Sequence, residues 1–239
     1  MASPQPSSAT PLLTTVLESL GQRIVSGELQ EGHTFTLQTI GDRFGISRTV
    51  AREAMRALEQ LGLVASSRRV GITVLPRSNW AVFDPQVITW RMRSAAERPQ
   101  QLQALTELRI AVEPIAAFNA AIHATDAQRA ELLELAAELR RLGEDTHGKS
   151  SDFLRVDIRF HSLLLEASGN EMFIALIPSL LEALYGRTEF GLQPASPAHE
   201  ALDAHDALAQ AISSGDASGA EEQSRLLISE VRAALRRSR

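Results

Sequence analysis

GISRTVAREAMRALEQL, the segment at residues 45–61, combines a tight turn with a helix that has two chemically different faces. Gly45 and Ile46 make the turn, and Ser47 stands where a helix N-cap is expected. The apolar face of the helix consists of Ala51, Ala54, Leu58 and Leu61. The adjacent face is basic and consists of Arg48, Arg52 and Arg56. This pattern predicts a recognition helix, because such a helix rests on a protein core with one side and enters the DNA major groove with the other.

The sequence on both sides of this helix predicts the rest of a small DNA-binding domain. Apolar residues at helical spacing predict two helices before the turn, at residues 13–24 and 37–44. Two β-branched runs within residues 63–74 flank a basic tip, which predicts a β-hairpin. Together these elements predict a winged helix-turn-helix over residues 11–75, preceded by a disordered lead-in at residues 1–10. The predicted DNA contacts are Arg43, Ser47, Arg48, Thr49, Arg52, Arg56, Arg68 and Arg69.

The composition excludes several classes of protein. The chain has 239 residues, no cysteine and a formal net charge of −5. The absence of cysteine excludes a disulfide scaffold, a thiolate zinc finger and a cysteine nucleophile. No apolar run approaches the roughly 20 residues of a membrane-spanning helix, and the N-terminus has no signal-peptide pattern, so we expect a cytoplasmic protein without a membrane partner. The negative charge does not exclude DNA, because residues 1–75 hold seven arginines and six acidic residues, and the local field decides binding to phosphates.

The remainder of the chain is predicted to be a linker followed by helices. Residues 76–98 are the predicted linker, within which Asp84 and Pro85 favour a helix start. Residues 99–239 show only helical periodicity, which by itself predicts a dimerisation domain. We expect helices near residues 100–122, 126–143, 150–168, 171–187, 197–213 and 216–237. The predicted fold class is therefore mainly α, with an N-terminal winged helix-turn-helix that has a small β-hairpin wing and a C-terminal all-α bundle.

The helical part carries ionisable residues on faces that are otherwise apolar. Asp157 and His161 lie four residues apart on one such face. His205 is at the centre of a second face, and Arg109 and Glu113 share a third. Burying such groups costs several kcal/mol unless they are paired, hydrogen-bonded or bound to a metal. Single pairs of this kind also arise by chance, but one polar cavity would account for all of them, and carboxylate and imidazole ligands suit zinc, nickel, manganese or iron.

Residues 45–64 closely resemble the helix-turn-helix signature of the GntR family of bacterial transcription regulators, and the likeness extends over residues 12–75. The family usually has proline at the position of Val50 and a Gly-Arg-Gly-Thr wing tip where this chain has residues 69–72. In the second helix, Gln38 stands where an arginine often contacts DNA. The resemblance implies a homodimer that binds a double-stranded DNA operator.

The helical part resembles the ligand-sensing FCD domain of the FadR-type branch of that family. The likeness rests on ELR and EP within residues 107–114, DIRFH at 157–161, ASGN at 167–170 and His205. The resemblance implies a divalent metal held by Asp157, His161 and His205. It also implies that Arg109 meets the carboxylate of a small organic acid. Further candidate effector-binding residues are Glu113, Asn170, Arg187 and Gln223.

One departure from the FCD pattern concerns the metal. Leu227 stands where many members have a further histidine, so three ligands would leave coordination positions open for water or for the effector. The linker is similar to that of the subgroup that represses sugar-acid (galactonate) operons, which favours a sugar acid as the effector.

These observations predict a transcriptional repressor that senses an organic acid. An alternative from another class is a metal-dependent enzyme that acts on small carboxylates and carries an appended DNA-binding module. We find no separate acid, base or nucleophile motif beside the three candidate ligands. A third alternative is a purely structural bundle whose buried polar groups pair only with one another.

Overall fold

A computed structural model describes residues 9–146, 151–189 and 199–237; for residues 9–11, 146, 183, 187 and 230–237 it describes the backbone alone. The chain divides into two compact units, Met1–Pro99 and Gln100–Arg239. Most of the predicted lead-in lies outside the described residues, and its last two positions belong to the first helix. None of the described helices is long and apolar enough to cross a membrane.

The N-terminal unit contains three helices, α1 (Ala9–Val25), α2 (Leu37–Phe44) and α3 (Arg48–Gln60). Ser47 caps α3, because its hydroxyl accepts a hydrogen bond from the backbone N–H of Val50. Gly45 ends α2 in the left-handed conformation, at φ 62°, which residues with a side chain rarely adopt. The chain therefore turns sharply from α2 into α3, and the predicted helix-turn-helix is confirmed.

A small antiparallel sheet completes this unit. Its strands are β1 (Thr34–Phe35), β2 (Val64–Ser67) and β3 (Gly71–Val74), in the order β1–β3–β2. β2 and β3 form the predicted hairpin, with Val64 opposite Val74. The sequence did not predict β1, because two residues are too few to show an alternating pattern. Helices and sheet enclose a core that includes Leu20, Ala51, Ala54, Leu58, Leu63 and Ile72.

The segment predicted as a linker contains a further helix, α4 (Pro85–Arg93). It starts as the sequence suggests, because the Asp84 carboxylate accepts a hydrogen bond from the backbone N–H of Gln86 and Pro85 occupies the first turn. Val87 and Trp90 are buried in the core that also contains residues of α1 and α3. This part of the segment is therefore folded onto the N-terminal unit.

The C-terminal unit is helical throughout its described residues. Its helices are α5 (Arg98–His123), α6 (Asp126–Thr146), α7 (Ser151–Ala167), α8 (Glu171–Ala175), α9 (Ile177–Glu189), α10 (His199–Ser214) and α11 (Ala217–Arg237). α6 packs against α7 and α10, and α10 packs against α11. The apolar core between them includes Leu132, Leu139, Phe160, Leu164, Leu208 and Ile212. This arrangement confirms the all-α bundle.

The prediction of one helix at residues 171–187 was wrong, because this region forms two helices that separate at Leu176. Pro178 lies in the first turn of α9. Proline has no backbone N–H to continue the hydrogen-bond ladder of a preceding helix, but it is tolerated in the first turn of a new one. Proline at this position therefore explains the break.

Candidate functional site

The exposed face of α3 carries arginines on successive turns. Arg48, Arg52 and Arg56 are exposed, whereas Ala51, Ala54 and Leu58 on the other side are completely buried. Thr49 and Ser47 are exposed at the start of the helix, where the Ser47 hydroxyl also serves as the cap. Arg43 is exposed in the last turn of α2, just before the turn into α3. One side of α3 is thus anchored in the core, and its other side is open to a groove about 12 Å wide.

None of these arginines has a carboxylate partner in the part of the chain that the structure describes. The ion pairs of the N-terminal unit involve other arginines, namely Arg23, Arg77, Arg91 and Arg93. The guanidinium carbon of Arg43 lies 5.8 Å from the centre of the Phe44 ring. Because no internal carboxylate offsets them, these guanidinium groups keep their full charge for phosphate or for guanine.

The tip of the hairpin adds two further unpaired arginines. Arg68 and Arg69 are exposed between β2 and β3, where the sequence predicted a basic wing tip. Among the described residues, neither forms an ion pair. The basic surface of this unit therefore consists of α3, the end of α2 and the wing tip.

A second group of charged residues lies inside the C-terminal unit, where five ionisable side chains from three helices meet. Arg109 and Glu113 come from α5, Asp157 and His161 from α7, and His205 from α10. Each of them is at most 7% exposed. We call these five residues the polar centre. The structure thus brings together residues that the sequence placed on three separate apolar faces.

The Glu113 carboxylate pairs with both Arg109 and His161. Arg109 Nε donates to Glu113 Oε1 over 2.5 Å, and Arg109 Nη2 donates to Oε2 over 3.3 Å. His161 Nδ1 lies 2.9 Å from Glu113 Oε2, and because an ionised carboxylate only accepts, Nδ1 carries the hydrogen. His161 Nε2 then points elsewhere, with Arg109 Nη2 at 3.1 Å and Asp157 Oδ1 at 3.5 Å. Glu113 therefore fixes the orientation of the His161 ring.

His205 is oriented by the backbone of its own helix. Its Nδ1 lies 2.7 Å from the carbonyl oxygen of Ala201, which can only accept, so Nδ1 is the donor. In the neutral ring, Nε2 is then an acceptor. This Nε2 is buried, makes no hydrogen bond within the described residues, and lies 3.4 Å from Asp157 Oδ1. An imidazole nitrogen and a carboxylate oxygen that face each other at this distance can bind a metal cation between them.

In the polar centre, neighbouring charges outweigh the effect of burial on the pKa values of Glu113, Asp157 and His161. Burial alone would raise the pKa of Glu113, but Arg109 and His161 outweigh this effect and lower its pKa to about 2. Burial would also raise the pKa of Asp157, but the two neighbouring imidazoles hold it well below its usual range. Burial lowers the pKa of His161, and the Glu113 and Asp157 carboxylates more than reverse that effect and raise it. The centre thus holds two ionised carboxylates beside the Arg109 guanidinium and two imidazoles.

Each of the two units matches a known protein family. Residues 12–74 match the bacterial regulatory proteins of the gntR family, and residues 104–230 match the FCD domain. The chain is 35% identical over 203 residues to the HTH-type transcriptional regulator YieP of Escherichia coli K12, which covers 84% of this chain and 86% of YieP. It is 30% identical over 217 residues to the galactonate operon transcriptional repressor of the same organism, which covers 89% of this chain and 92% of that repressor.

The chain belongs to the GntR family. It combines the GntR helix-turn-helix with an FCD domain and is a transcription regulator of the FadR type. Its relatives are transcription regulators rather than enzymes.

Two solved structures share the fold. Streptococcus agalactiae GntR superposes with a TM-score of 0.51 at 21% identity, covering 92% of this chain and 99% of the other. McbR/YncC of Escherichia coli superposes with a TM-score of 0.52 at 18% identity, covering 100% and 99%. At these identities the likeness concerns the fold alone.

The donor atoms of the polar centre in this GntR regulator have spacings that suit a metal ion. One ligand atom from each of Asp157, His161 and His205 lies within 4.8 Å of the others. Ligand atoms bound about 2.1 Å from a tetrahedral ion are about 3.4 Å apart. The two distances from Asp157 Oδ1 to the imidazole Nε2 atoms, 3.5 Å and 3.4 Å, match that spacing. Both rings also use Nδ1 as a donor to an oxygen acceptor, as metal-bound histidines usually do.

Among the described residues, neither Asn170 nor Gln223 forms a hydrogen bond with this centre. Asn170 caps α8, because its side-chain oxygen accepts from the backbone N–H of Met172 over 2.9 Å. Gln223 is half-buried on α11 and forms no hydrogen bond with any described residue. The Arg187 side chain lies outside the described residues. Leu227 is buried in the apolar core of the unit.

The sequence did not single out Phe160, which contacts both imidazoles. Its ring centre lies 5.0 Å from that of His205 and 5.7 Å from that of His161, and both contacts are edge-on. Phe160 is completely buried and shields one side of the polar centre. Its position next to His161 was the only signal in the sequence, and a phenylalanine beside a histidine is ordinarily a core residue.

Proposed function

We propose that this regulator is a homodimeric repressor that binds an operator of two half-sites and that its FCD domain senses a small organic acid with the help of a divalent metal. The observation that carries the sensing function is the buried Nε2 of His205, which has no hydrogen bond and faces the Asp157 carboxylate. A purely structural polar network would satisfy such an atom, because an unmade hydrogen bond in the interior costs about 1–3 kcal/mol. A cation bound between these groups would satisfy both.

The DNA-binding function rests on the unpaired arginines. Arg48, Arg52 and Arg56 would enter the major groove, where the planar guanidinium group can bind guanine through two parallel hydrogen bonds. Arg68 and Arg69 would meet the DNA beside the wing. Arg43, Ser47 and Thr49 surround the start of α3 and would contact the backbone of the duplex, as residues at this end of a recognition helix do.

The metal would be held by Asp157, His161 and His205, and zinc, nickel, manganese and iron all suit this ligand set. When bound, it would supply a positive charge that attracts a carboxylate or hydroxyl group of the effector. Arg109 lies beside the same site, since its Nη2 is 3.1 Å from His161 Nε2, and it would contribute a second positive charge. Glu113 would keep Arg109 and His161 in place.

A sugar acid is the favoured effector. The galactonate operon transcriptional repressor is 30% identical to this chain over most of both lengths. A sugar acid offers one carboxylate and several hydroxyl groups, which suit a cation and a guanidinium side by side.

The homodimer is supported by an exposed apolar stripe on α5. Ala111, Ile115 and Ile122 are exposed and Phe118 is partly so, although all four lie on one helix. Their spacings of four, three and four residues place them on a single face. Such a face on an otherwise folded domain is typical of contact with another copy.

The experiment tests metal and effector together. Purified protein freed of metal is titrated with Zn²⁺ in a calorimeter, and its melting temperature is measured with Zn²⁺ and a panel of sugar acids that includes galactonate. We expect Zn²⁺ to bind, at least one acid to raise the melting temperature only when Zn²⁺ is present, and that acid to change operator affinity. His205→Ala should lose both effects, whereas His123→Ala, which removes an exposed histidine of α5, should keep them.

Two results would contradict parts of this proposal. Stabilisation by an acid without metal would mean that the polar groups bind the effector directly. The absence of both metal binding and acid binding would leave the polar centre with a structural function alone.

A further inference from the structure

Helix α4 contacts α1 in two ways, by close packing of a large side chain and by hydrogen bonds to a carboxylate. The packing contact is made by Trp90, which is completely buried against α1. Gly21 of α1 lies directly beneath the indole ring, and a Cβ atom at this position would overlap ring atoms of Trp90. Glycine lowers the stability of a helix interior, so its presence within α1 is explained by the space that the indole needs.

The hydrogen bonds are made to Glu18, one turn earlier on α1. Its carboxylate accepts three hydrogen bonds from α4: from Trp90 Nε1 over 2.8 Å, from Arg93 Nη1 over 3.1 Å and from Gln86 Nε2 over 3.2 Å. A single acidic side chain thus gathers donors from the beginning, the middle and the end of α4. Gln22 completes the contact by donating from Nε2 to the Trp90 carbonyl oxygen over 3.1 Å. We call Glu18, Gly21 and Trp90, with these contacts, the α1–α4 clamp.

The chain that follows α4 is also tied back to it. Arg98 Nε donates to the carbonyl oxygen of Met92 over 2.7 Å, which satisfies an acceptor in the last turn of α4. Glu97 accepts from Arg91 Nε over 3.2 Å and also pairs with Arg77. Only residues 94–97 lie between α4 and the start of α5. The segment that leaves the N-terminal unit is therefore short and held at several points.

These contacts form a continuous path to the recognition helix. α4 packs on α1, and α1 packs on α3, which carries the unpaired arginines. Side chains of all three helices share one apolar core, and packed cores move as rigid bodies because they have little free volume. A displacement of the end of α4 is thus transmitted to α3 instead of being absorbed in a flexible linker.

We propose that α4 is a rigid arm of the DNA-binding domain and that the α1–α4 clamp sets the orientation of the recognition helix relative to the chain that follows α4. Glu18, Gly21 and Trp90 are positioning residues, which do not touch DNA themselves. The proposal rests on the proposed binding of a homodimer to two half-sites. In that arrangement, the orientation of each arm decides whether both recognition helices fit one operator at the same time.

The test uses full-length variants that loosen the clamp. Gly21→Ala introduces the overlap with Trp90, and Glu18→Gln replaces the charged acceptor while keeping its size. Glu28→Gln is the matched control, because Glu28 pairs with Arg23 of α1 and not with α4. The wild-type protein first selects an operator from random duplexes. Each variant is then titrated, by fluorescence anisotropy, against the complete operator and against a duplex with one half-site.

We expect both clamp variants to bind the complete operator about tenfold more weakly than the wild type. Their affinity for the single half-site should equal that of the wild type. Simultaneous binding at two sites depends on the orientation of the two domains, whereas binding at one site does not. Acrylamide quenching of Trp90, measured in a Trp80→Phe background, should increase in both variants. Glu28→Gln should behave like the wild type in all three measurements.

Each other outcome overturns a stated part of the inference. If the variants keep wild-type affinity for the complete operator, or if quenching of Trp90 does not increase, the arm does not depend on the clamp. If affinity for the single half-site falls in the same proportion, these residues only stabilise the domain. If the wild type itself does not prefer the complete operator, the proposed two-site binding fails, and the arm loses its function with it.

Discussion

The arginines of the two units differ in whether their guanidinium groups bind acceptors within the protein. In the C-terminal unit, every arginine whose side chain the structure describes has an internal partner; these are Arg109, Arg129, Arg140, Arg141, Arg155, Arg159 and Arg225. Six of them bind carboxylates, and Arg129 binds backbone carbonyl groups. In the N-terminal unit, the arginines of α3 and of the wing tip have no carboxylate partner among the described residues. The same side chain therefore stabilises the fold in one unit and remains available to an external anion in the other.

This difference explains why the net charge of −5 misleads about the partner of the protein. A count of charges treats all arginines alike, but a guanidinium that is already bound to a carboxylate contributes little to the field outside the protein. The pairing pattern, which depends on structure, shows where positive charge is free. Single substitutions can remove one arginine contact of each kind.

The largest effect is expected in the polar centre, where Glu113→Gln leaves Arg109 buried without a charged partner. We expect the free energy of unfolding at pH 7 to fall by about 3 kcal/mol. The pKa of Glu113 is lowered from its ordinary value of 4.5 to about 2 in the folded protein. The ionised carboxylate therefore stabilises the fold above about pH 4.5, and this contribution disappears as the pH falls towards 2.

Urea unfolding of the wild type and of Glu113→Gln at a series of pH values checks this prediction. The difference in free energy should be greatest at neutral pH and should shrink below pH 4.5, where Glu113 begins to bind a proton in the unfolded chain. Glu138→Gln, which removes the charge of a partly exposed carboxylate paired with Arg141, is the control and should change stability little. A difference that stays constant with pH would show that Glu113 acts through its shape and not through its charge.

An intermediate effect is expected for the unpaired arginines. Arg52→Ala should weaken operator binding about 30-fold, which corresponds to about 2 kcal/mol, because a guanidinium contact to a base edge contributes about 1–3 kcal/mol. The free energy of unfolding should not change, since Arg52 has no partner within the described residues. Arg23→Ala, which removes the arginine of the Arg23–Glu28 ion pair, is the matched control in the same unit and should keep operator affinity. If Arg52→Ala binds the operator with unchanged affinity, α3 is not the recognition helix.

The smallest effect is expected for a paired arginine at the surface. Arg140 contacts Asp203 and Asp206 over 2.6 Å each, but Asp203 is 68% exposed. Arg140→Ala should therefore lower the free energy of unfolding by no more than about 1 kcal/mol, and the loss should vanish in about 1 M salt. Operator affinity should be unchanged. A loss of DNA binding in this variant would break the distinction between paired and unpaired arginines.

The sequence by itself determined the DNA-binding part. The turn at Gly45, the cap at Ser47 and the two faces of α3 depend on residues within one short segment, whose backbone preferences and helical spacing are visible without knowledge of the fold. The exposed arginines followed from the same spacing. The all-α character of the second unit was equally visible, because helical periodicity is a local property.

Only the tertiary structure decided which distant residues meet. Helical spacing placed Glu113, His161 and His205 on apolar faces, but it could not show that Glu113 orients His161 or that His205 faces Asp157, since these contacts depend on how three helices pack. For the same reason the segment at residues 76–98 gave no sign that Trp90 would fill the space above Gly21, 69 positions earlier in the chain. Spacing along a helix is set by the backbone, whereas contacts between helices are set by the shapes of both surfaces, and a single sequence displays only the first.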